Sequence, residues 1–455
     1  MNSFEVRALL ALAFLYASRM LGLFMVLPVF ALYAEGYSGS SALLVGVGLG
    51  IYGLSQGLLQ IPFGLLSDRI GRKPLIFAGM LLFLAGSLLA ATADSMVGLI
   101  TARALQGAGA VASVVMALLS DLTKEQNRTR AMASIGGSIG LSFGLAMVLG
   151  PIIASYWGLS GVFWVTSVLA AMGIVVVAFA VPSPVARHGG HEVIPLPSML
   201  GRVLRDTELR RLNIGIFALH FAQMATWVAL PLMLEQTFDF SRDRHWLLYL
   251  GTMGGGFLLM VPFIWYGESK RKMKPVFIIA VALLALAEVM MACAGSTFNM
   301  MVAGLLVFFM AFNLLEASLP SLVSKLSPAG IKGTALGVYS TSQFLGTFCG
   351  GVVGGIVAQQ FGNGAVFWAS LVAALLWLGF AMTMQPPRYL RSVEVCLTGQ
   401  RQLDAKGLMT EIAGVVDVVI IPGQNMAYVK VDDAHFDQER MDALLASSVQ
   451  DKSAG

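Results

Sequence analysis

Charge is what this sequence has least of. Of its 455 residues, 12% are Asp, Glu, Lys or Arg, while 57% are hydrophobic. A soluble chain carries about a quarter charged residues, so a soluble globular domain is excluded. Cysteine is also scarce. Cys293, Cys349 and Cys396 stand apart with no pair spacing, which indicates neither a disulfide framework nor a metal site, and no cofactor is expected. The long apolar runs do not alternate with polar residues, which favours helices over a membrane barrel. No nucleophile constellation, phosphate loop or metal-ligand spacing is present, so nothing supports an enzyme, and no nucleic-acid partner is expected.

What the chain does have is apolar length. Segments fall at 8–33, 42–66, 74–93, 96–120, 131–154, 161–181, 212–234, 246–266, 275–295, 298–323, 333–358 and 364–384, each near the ~20 residues that cross a bilayer as a helix. The first is too long for a cleaved signal peptide and carries Arg19 in its middle. The connections on one side hold seventeen Lys and Arg, and those on the other hold Arg242 and Arg244 alone. By the positive-inside rule both termini lie in the cytoplasm.

The longest connection, 182–211, divides the spans six and six, giving bundles at 1–181 and 212–385. Its stretch from Pro197 reads as a short helix at the membrane interface or as a linker with a helical stub. Ile61-Pro62-Phe63 returns as Val261-Pro262-Phe263, and at that offset Asp68 meets Glu268. Two parallel six-helix halves form a known transporter architecture, with substrate bound near the midplane. After Pro386-Pro387 the pattern changes. Val393, Val395 and Leu397 alternate as in a strand, 401–413 has helical spacing, Val415–Ile421 and Met426–Val431 read as strands around a turn at 422–425, and Ala434–Ser447 is helical. That βαββα order predicts a small α+β ferredoxin-like domain at 388–455, and any fourth strand would have to come from around Val449.

Four ionisable residues lie deep in apolar spans: Arg19, Arg103, His220 and Glu316. Such residues are costly and mark function by default. They occupy spans 1, 4, 7 and 10, the first of each three-span unit, so pseudo-symmetry predicts that they line one cavity. Tyr16, Gln106, Gln223, Trp227 and Asn313 share their helix faces, and Tyr52, Gln56 and Gln60 stripe span 2. Arg103 also reads as a strut bonded to carbonyls, and His220 as a bridge between helices. Glu288, in span 9, reads as structural or interfacial. Glu316 is the candidate proton carrier and His220 its competitor, since imidazole titrates near neutrality.

The densest charge runs from Gly64 to Pro74, with Asp68, Arg69, Gly71, Arg72 and Lys73 between two spans. This stretch resembles motif A of the major facilitator superfamily, with Ser67 in its alanine place. Arg103 to Ala110 resembles motif B. Gly136, Gly140, Gly144 and Gly150-Pro151 resemble the antiporter motif C, although Ile152 to Ser155 replace its usual glycine pair. The match covers residues 1–385, and with the tail it is most similar to the drug/proton antiporters of bacterial inner membranes. The resemblance implies that Gly64, Asp68, Arg69, Gly71 and Arg72 form a latch, with Asp68 facing the start of span 11 and Arg72 pairing with Asp121, holding the cytoplasmic side shut. The tail has Thr398-Gly399-Gln400 where a Cys-x-x-Cys would stand, so a metal-chaperone role is not expected.

These readings combine as an all-α membrane protein of twelve helices in two halves with a cytoplasmic tail domain. A proton-coupled antiporter exporting small amphipathic or drug-like compounds is expected, as a monomer whose partners are lipid, substrate and protons. The alternatives are a uniporter or uptake symporter on the same fold, and a membrane-anchored sensor whose tail binds a ligand or protein.

Overall fold

In the computed structural model of the chain, residues 1–182, 196–327, 332–385, 390–396, 412–420, 426–432 and 435–441 are described. Helix α1 (Ser3–Met25) opens on a capping box. Asn2 Oδ1 accepts the Glu5 N–H at 2.8 Å, and Glu5 Oε2 accepts the Asn2 N–H at 2.9 Å, satisfying two donors that a first turn leaves free. After the short α2 (Phe30–Ala34) come α3 (Ala42–Ile70), α4 (Arg72–Ala91) and α5 (Met96–Ala108). Ser41 and Ser95 cap α3 and α5, each hydroxyl accepting an N–H at 3.2 Å. The fourth apolar segment is not continuous. It breaks at Gly109 and resumes as α6 (Ala112–Leu122), where the α4 backbone comes so near that a β-carbon on Gly109 would lie 2.4 Å from the Gly79 oxygen.

Spans 5 and 6 also differ from the expected pattern. α7 (Glu125–Phe179) is helical for 55 residues apart from Gly158, so no separate loop stands at 155–160. A straight helix of that length would measure about 80 Å, against about 30 Å of bilayer hydrocarbon. Gly158, at φ 66° and ψ −170°, takes a backbone conformation open to glycine alone without strain. Both arms then lie along α1. On the first, Ser142 Oγ donates to the Ala17 oxygen at 3.2 Å, and Gly150 abuts the Met25 carbonyl. On the second, Gly22 meets Thr166 and Gly173 meets Leu15. Residue numbers rise together in the first pairings and oppose in the second, so the chain reverses at Gly158.

The next helices are α8 (Leu196–Arg205), α9 (Thr207–Gln236), α10 (His245–Ser269), α11 (Met273–Ala292), α12 (Phe298–Leu326), α13 (Lys332–Phe361) and α14 (Ala365–Met382). Among the described residues, eleven helical stretches are long and apolar enough to cross a membrane. Counting the two arms of α7 apart matches the twelve expected segments. Leu141, Leu258 and Phe361 stand 66%, 71% and 73% exposed, a disposition that suits lipid rather than water.

The chain forms two compact units, Met1–Ala186 with Ile214–Glu316 and Ser340–Thr383, and Arg187–Asn213 with Ala317–Tyr339 and Met384–Gly455. In the first, α3 and α13 meet over a nearly bare face. Gly46, Gly50, Gly53 and Gly57 lie against Gly351, Phe348 and Phe344, and a β-carbon on Gly46 would sit 2.0 Å from the Gly351 oxygen. Close by, the Leu43 N–H donates to Gln359 Oε1 at 3.2 Å.

In the second unit, Asp206 Oδ1 accepts the Leu209 N–H at 2.9 Å. This cap starts α9 at Thr207, ahead of the expected 212. Glu208 there pairs with Arg211 and accepts the Gln385 N–H at 3.3 Å. Strands β1 (Leu390–Cys396), β2 (Val415–Ile420) and β3 (Met426–Asp432) form a sheet in the order β1-β3-β2, both pairings antiparallel. Val429 is buried between Val393 and Val418. β1 and β2 therefore run parallel with β3 between them. The helix expected over 401–413 lies outside the described residues as far as 411, as do the turn at 422–425 and the strand near Val449; within 434–447, residues 438–441 are described and helical.

The bare seam makes a prediction. Gly46→Leu still inserts but cannot close against α13, at a cost of about 1–3 kcal/mol for overpacking. Cysteines placed at Leu43 and Gln359 are expected to cross-link readily in the parent chain and poorly beside Gly46→Leu.

Candidate functional site

Motif A folds as the last turn of α3, a reversal at Gly71 (φ 97°) and the first turn of α4. The Gly71 N–H closes α3 by donating to the Ser67 oxygen at 3.1 Å. The turn points Arg72 back at α3, where its Nη1 lies 2.5 Å from both Asp68 Oδ1 and Ser67 Oγ. Its Nε reaches Asp121 Oδ2 on α6 at 3.2 Å. Ser67 Oγ in turn donates to the Gly64 oxygen at 2.6 Å. Lys73 Nζ donates to the carbonyls of Ala178 and Val181 at 3.3 and 2.9 Å, a cation at the C-terminal end of α7. Arg69 is exposed.

Deeper in the first unit, the four intramembrane residues fall into two clusters. Arg19 on α1 is 2% exposed, and its Nη2 donates to Tyr52 Oη at 3.0 Å and Gln56 Oε1 at 2.9 Å on α3. Arg103 on α5 is 1% exposed and stacks over the Tyr52 ring at 5.0 Å. It donates to Gln106 Oε1 at 3.0 Å and to the Gly48 oxygen at 3.4 Å. Gln106 passes the network to Ser87 on α4, Nε2 to Oγ at 2.8 Å. Tyr52 is thus the shared wall of both arginines.

The second cluster joins α9, α12 and α13. His220 Nδ1 lies 3.3 Å from the Ile216 oxygen, an acceptor, which assigns the proton to Nδ1. His220 Nε2 then accepts from Gln343 Nε2 at 2.8 Å, and the same amide donates to Glu316 Oε1 at 3.4 Å. Glu316 Oε2 stands 3.8 Å from His220 Nε2; the Glu316 side chain is 38% exposed and that of His220 9%. Gln223 and Trp227 are buried on α9, and Trp227 packs edge-on to Tyr249 at 5.3 Å. Tyr16 and Asn313 are half-buried. Of the antiporter motif, Gly150 packs on the Met25 backbone and Gly144 faces the Met253 methyl, while a β-carbon on Gly140 would meet open space. Pro151 follows Gly150 within α7 and is buried.

Three features had no reading in the sequence. Gln343 sits in span 11, which the first-of-three symmetry skips, although a glutamine within an apolar span is itself a signal. At the ends of the halves opposite motif A, Arg242 bonds Glu235 Oε1 at 2.9 and 2.6 Å and lies 5.2 Å from the Tyr33 ring, while Gln236 Nε2 reaches Glu35 Oε1 at 3.5 Å. Arg242 had served only to orient the chain. Beside this clasp is a cavity of about 270 Å³ lined by Glu35, Ser41, Val228, Leu232 and Asn363, apart from both clusters. Glu288 is fully buried on α11, and neither carboxyl oxygen has a hydrogen-bond partner among the described residues.

Comparison with known proteins adds the lineage. The family model described as Major Facilitator Superfamily matches residues 12–273 and 212–395. The inner membrane transport protein YajR of Escherichia coli is 48% identical over 432 residues, 94% of each chain. The multidrug resistance protein MdtH of Aeromonas hydrophila is 27% identical over 74% of this chain and 83% of its own. Among solved structures, a bacterial homologue of the human lysosomal transporter Spinster, inward-facing and occupied, superposes with a TM-score of 0.67 at 14% identity, covering 84% of this chain and 97% of that one. At that identity the likeness is one of fold.

The Arg72 contacts are half in solvent, with side-chain exposures of 22% for Arg72 and 44% for Asp121. A double-mutant cycle of Arg72→Ala and Asp121→Ala, read by thermal unfolding, should therefore give a coupling of only about 0.2–1 kcal/mol. A larger value would make the pair a structural strut.

Proposed function

The chain belongs to the major facilitator superfamily of membrane transporters, and from that premise we propose that it is a proton-coupled antiporter exporting small amphipathic or drug-like compounds by alternating access. The observation that carries this reading is the His220–Gln343–Glu316 bridge. An imidazole and a carboxyl group, both able to exchange a proton, share one amide across three helices. The amide nitrogen can only donate. Once His220 Nε2 takes a proton, it can no longer accept from Gln343, and its natural partner becomes Glu316 Oε2. Loading a proton therefore ends this donation from α13 to α9, obliging the Gln343 amide to turn or let go, and sets up an ion pair between α9 and α12.

That exchange reaches the gate through α13, the helix that closes against α3 at Gly46 and Gly351. An equilibrium between two packings is biased only by what differs between them, and the Gln343 bond is such a difference. On the other side of the bilayer, Asp68 and Arg72 serve as the latch, with both termini in the cytoplasm and the protein in the inner membrane. The relative named for multidrug resistance supports the export of drug-like compounds. The tail, with its β1-β3-β2 sheet, is read as a ferredoxin-like module that binds a ligand or protein.

In inverted vesicles, substrate movement is expected to alkalinise the lumen. Glu316→Gln combined with His220→Ala should leave substrate movement without proton flux. Full coupling in that double variant would overturn the mechanism. Asp68→Asn should slow transport by about 5- to 150-fold, the range for losing a coupling of about 1–3 kcal/mol, with insertion unchanged. Undiminished transport would reduce motif A to a topology signal.

A further inference from the structure

The two buried arginines hold more donors than the protein satisfies. Within the cluster around Tyr52, Arg19 Nε, Arg19 Nη1, Gln56 Nε2 and Arg103 Nη2 are buried nitrogens with no hydrogen-bond partner among the described residues. All four carry N–H groups and none can accept. Both guanidinium groups keep their charge at any physiological pH. Among the described residues their side-chain partners are Tyr52, Gln56, Gln106 and the Phe83 ring, all neutral, with no carboxylate paired to either. Two desolvated positive charges without a counter-charge cost several kcal/mol each. Water could fill the donors but would leave the charge unbalanced.

Resting on the reading of this chain as an exporter, we propose that its substrates are amphipathic organic anions whose carboxylate, sulfonate or phosphate group binds between Arg19, Gln56 and Arg103. An anionic oxygen group answers both deficits, since it offers several lone pairs to the open donors and a charge to the guanidinium groups. Aromatic surface for the apolar body is available in the same unit. Phe24 on α1 meets Phe143 at 5.0 Å, Phe143 meets Phe312 at 6.3 Å, and Phe312 meets His220 at 5.8 Å between ring centroids. The ladder runs from the helix that carries Arg19 to the proton-exchanging cluster. A lipophilic cation, by contrast, would meet two like charges at the deep end.

The test uses the full chain in phosphatidylcholine nanodiscs, without a proton gradient, titrated with two probes that share one aromatic body, a naphthalene sulfonate and a naphthyl trimethylammonium. The sulfonate is expected to bind at least about tenfold tighter than the ammonium, and Arg19→Gln to weaken it by about tenfold or more, as removing one partner of a buried charge pair does. Arg19→Lys, which keeps the charge and guards against a folding defect, should fall between. Equal binding of the two probes, or sulfonate binding that survives Arg19→Gln in a natively melting protein, would overturn the proposal. So would displacement of the sulfonate by phosphatidylglycerol added to the discs, because the site would then belong to a lipid headgroup. Proton coupling is read in the flux assay instead, so the anion site and the antiport mechanism can fail separately.

Discussion

The contact between α3 and α13 positions nearly everything of functional interest in the first unit. It is made of backbone. Gly46, Gly50, Gly53 and Gly57, spaced four, three and four, turn one face of α3 into a groove for α13. Small residues let helices approach closely in lipid, where no hydrophobic force draws apolar side chains together and close packing of the backbones counts for more. Tyr52 and Gln56 leave α3 towards the arginines, and Gln343 leaves α13 towards His220 and Glu316. One seam therefore stands between the two polar clusters.

The clusters differ in sign. The one in the N-terminal half has two guanidinium groups and neutral partners, and the one in the C-terminal half has an acid and an imidazole. Desolvation makes each too costly to be incidental. The division of labour proposed above follows from chemistry: guanidinium groups hold their protons and suit a fixed anion, whereas an acid beside an imidazole can pass a proton on. Arg242, Glu235 and Tyr33, at the ends opposite motif A, add a clasp between the halves, with charges that water largely screens and that can part at little cost.

Much was legible in advance because lipid imposes a simple rule. A span must be apolar for nearly its whole length, and within residues 1–385 the connections hold nearly all the Lys and Arg. The helical spans could be read that way, and the strands near Val393, Val418 and Val429 from their alternation, but α3 runs to Ile70, past the expected end at 66. The break in α5–α6 and the 55-residue α7 could not be read. Composition registers apolar length, whereas Gly109 and Gly158 act through backbone angles and the approach of a neighbouring helix. Gln343 was missed because symmetry pointed to every third span. The seam glycines were missed because in so glycine-rich a chain, with 50 glycines, no single one stands out.

By itself the sequence determined the class and the stretches where charge is tolerated, because those depend on local composition and on the cost of moving a polar group into hydrocarbon. Which charges share a site was decided only by the tertiary structure. Arg19 and Arg103 lie eighty-four residues apart and meet over one tyrosine, and His220 reaches Glu316 through an amide a hundred and twenty-three residues downstream. Such pairings depend on helix packing angles and on a few ångströms of backbone approach, which no local pattern encodes.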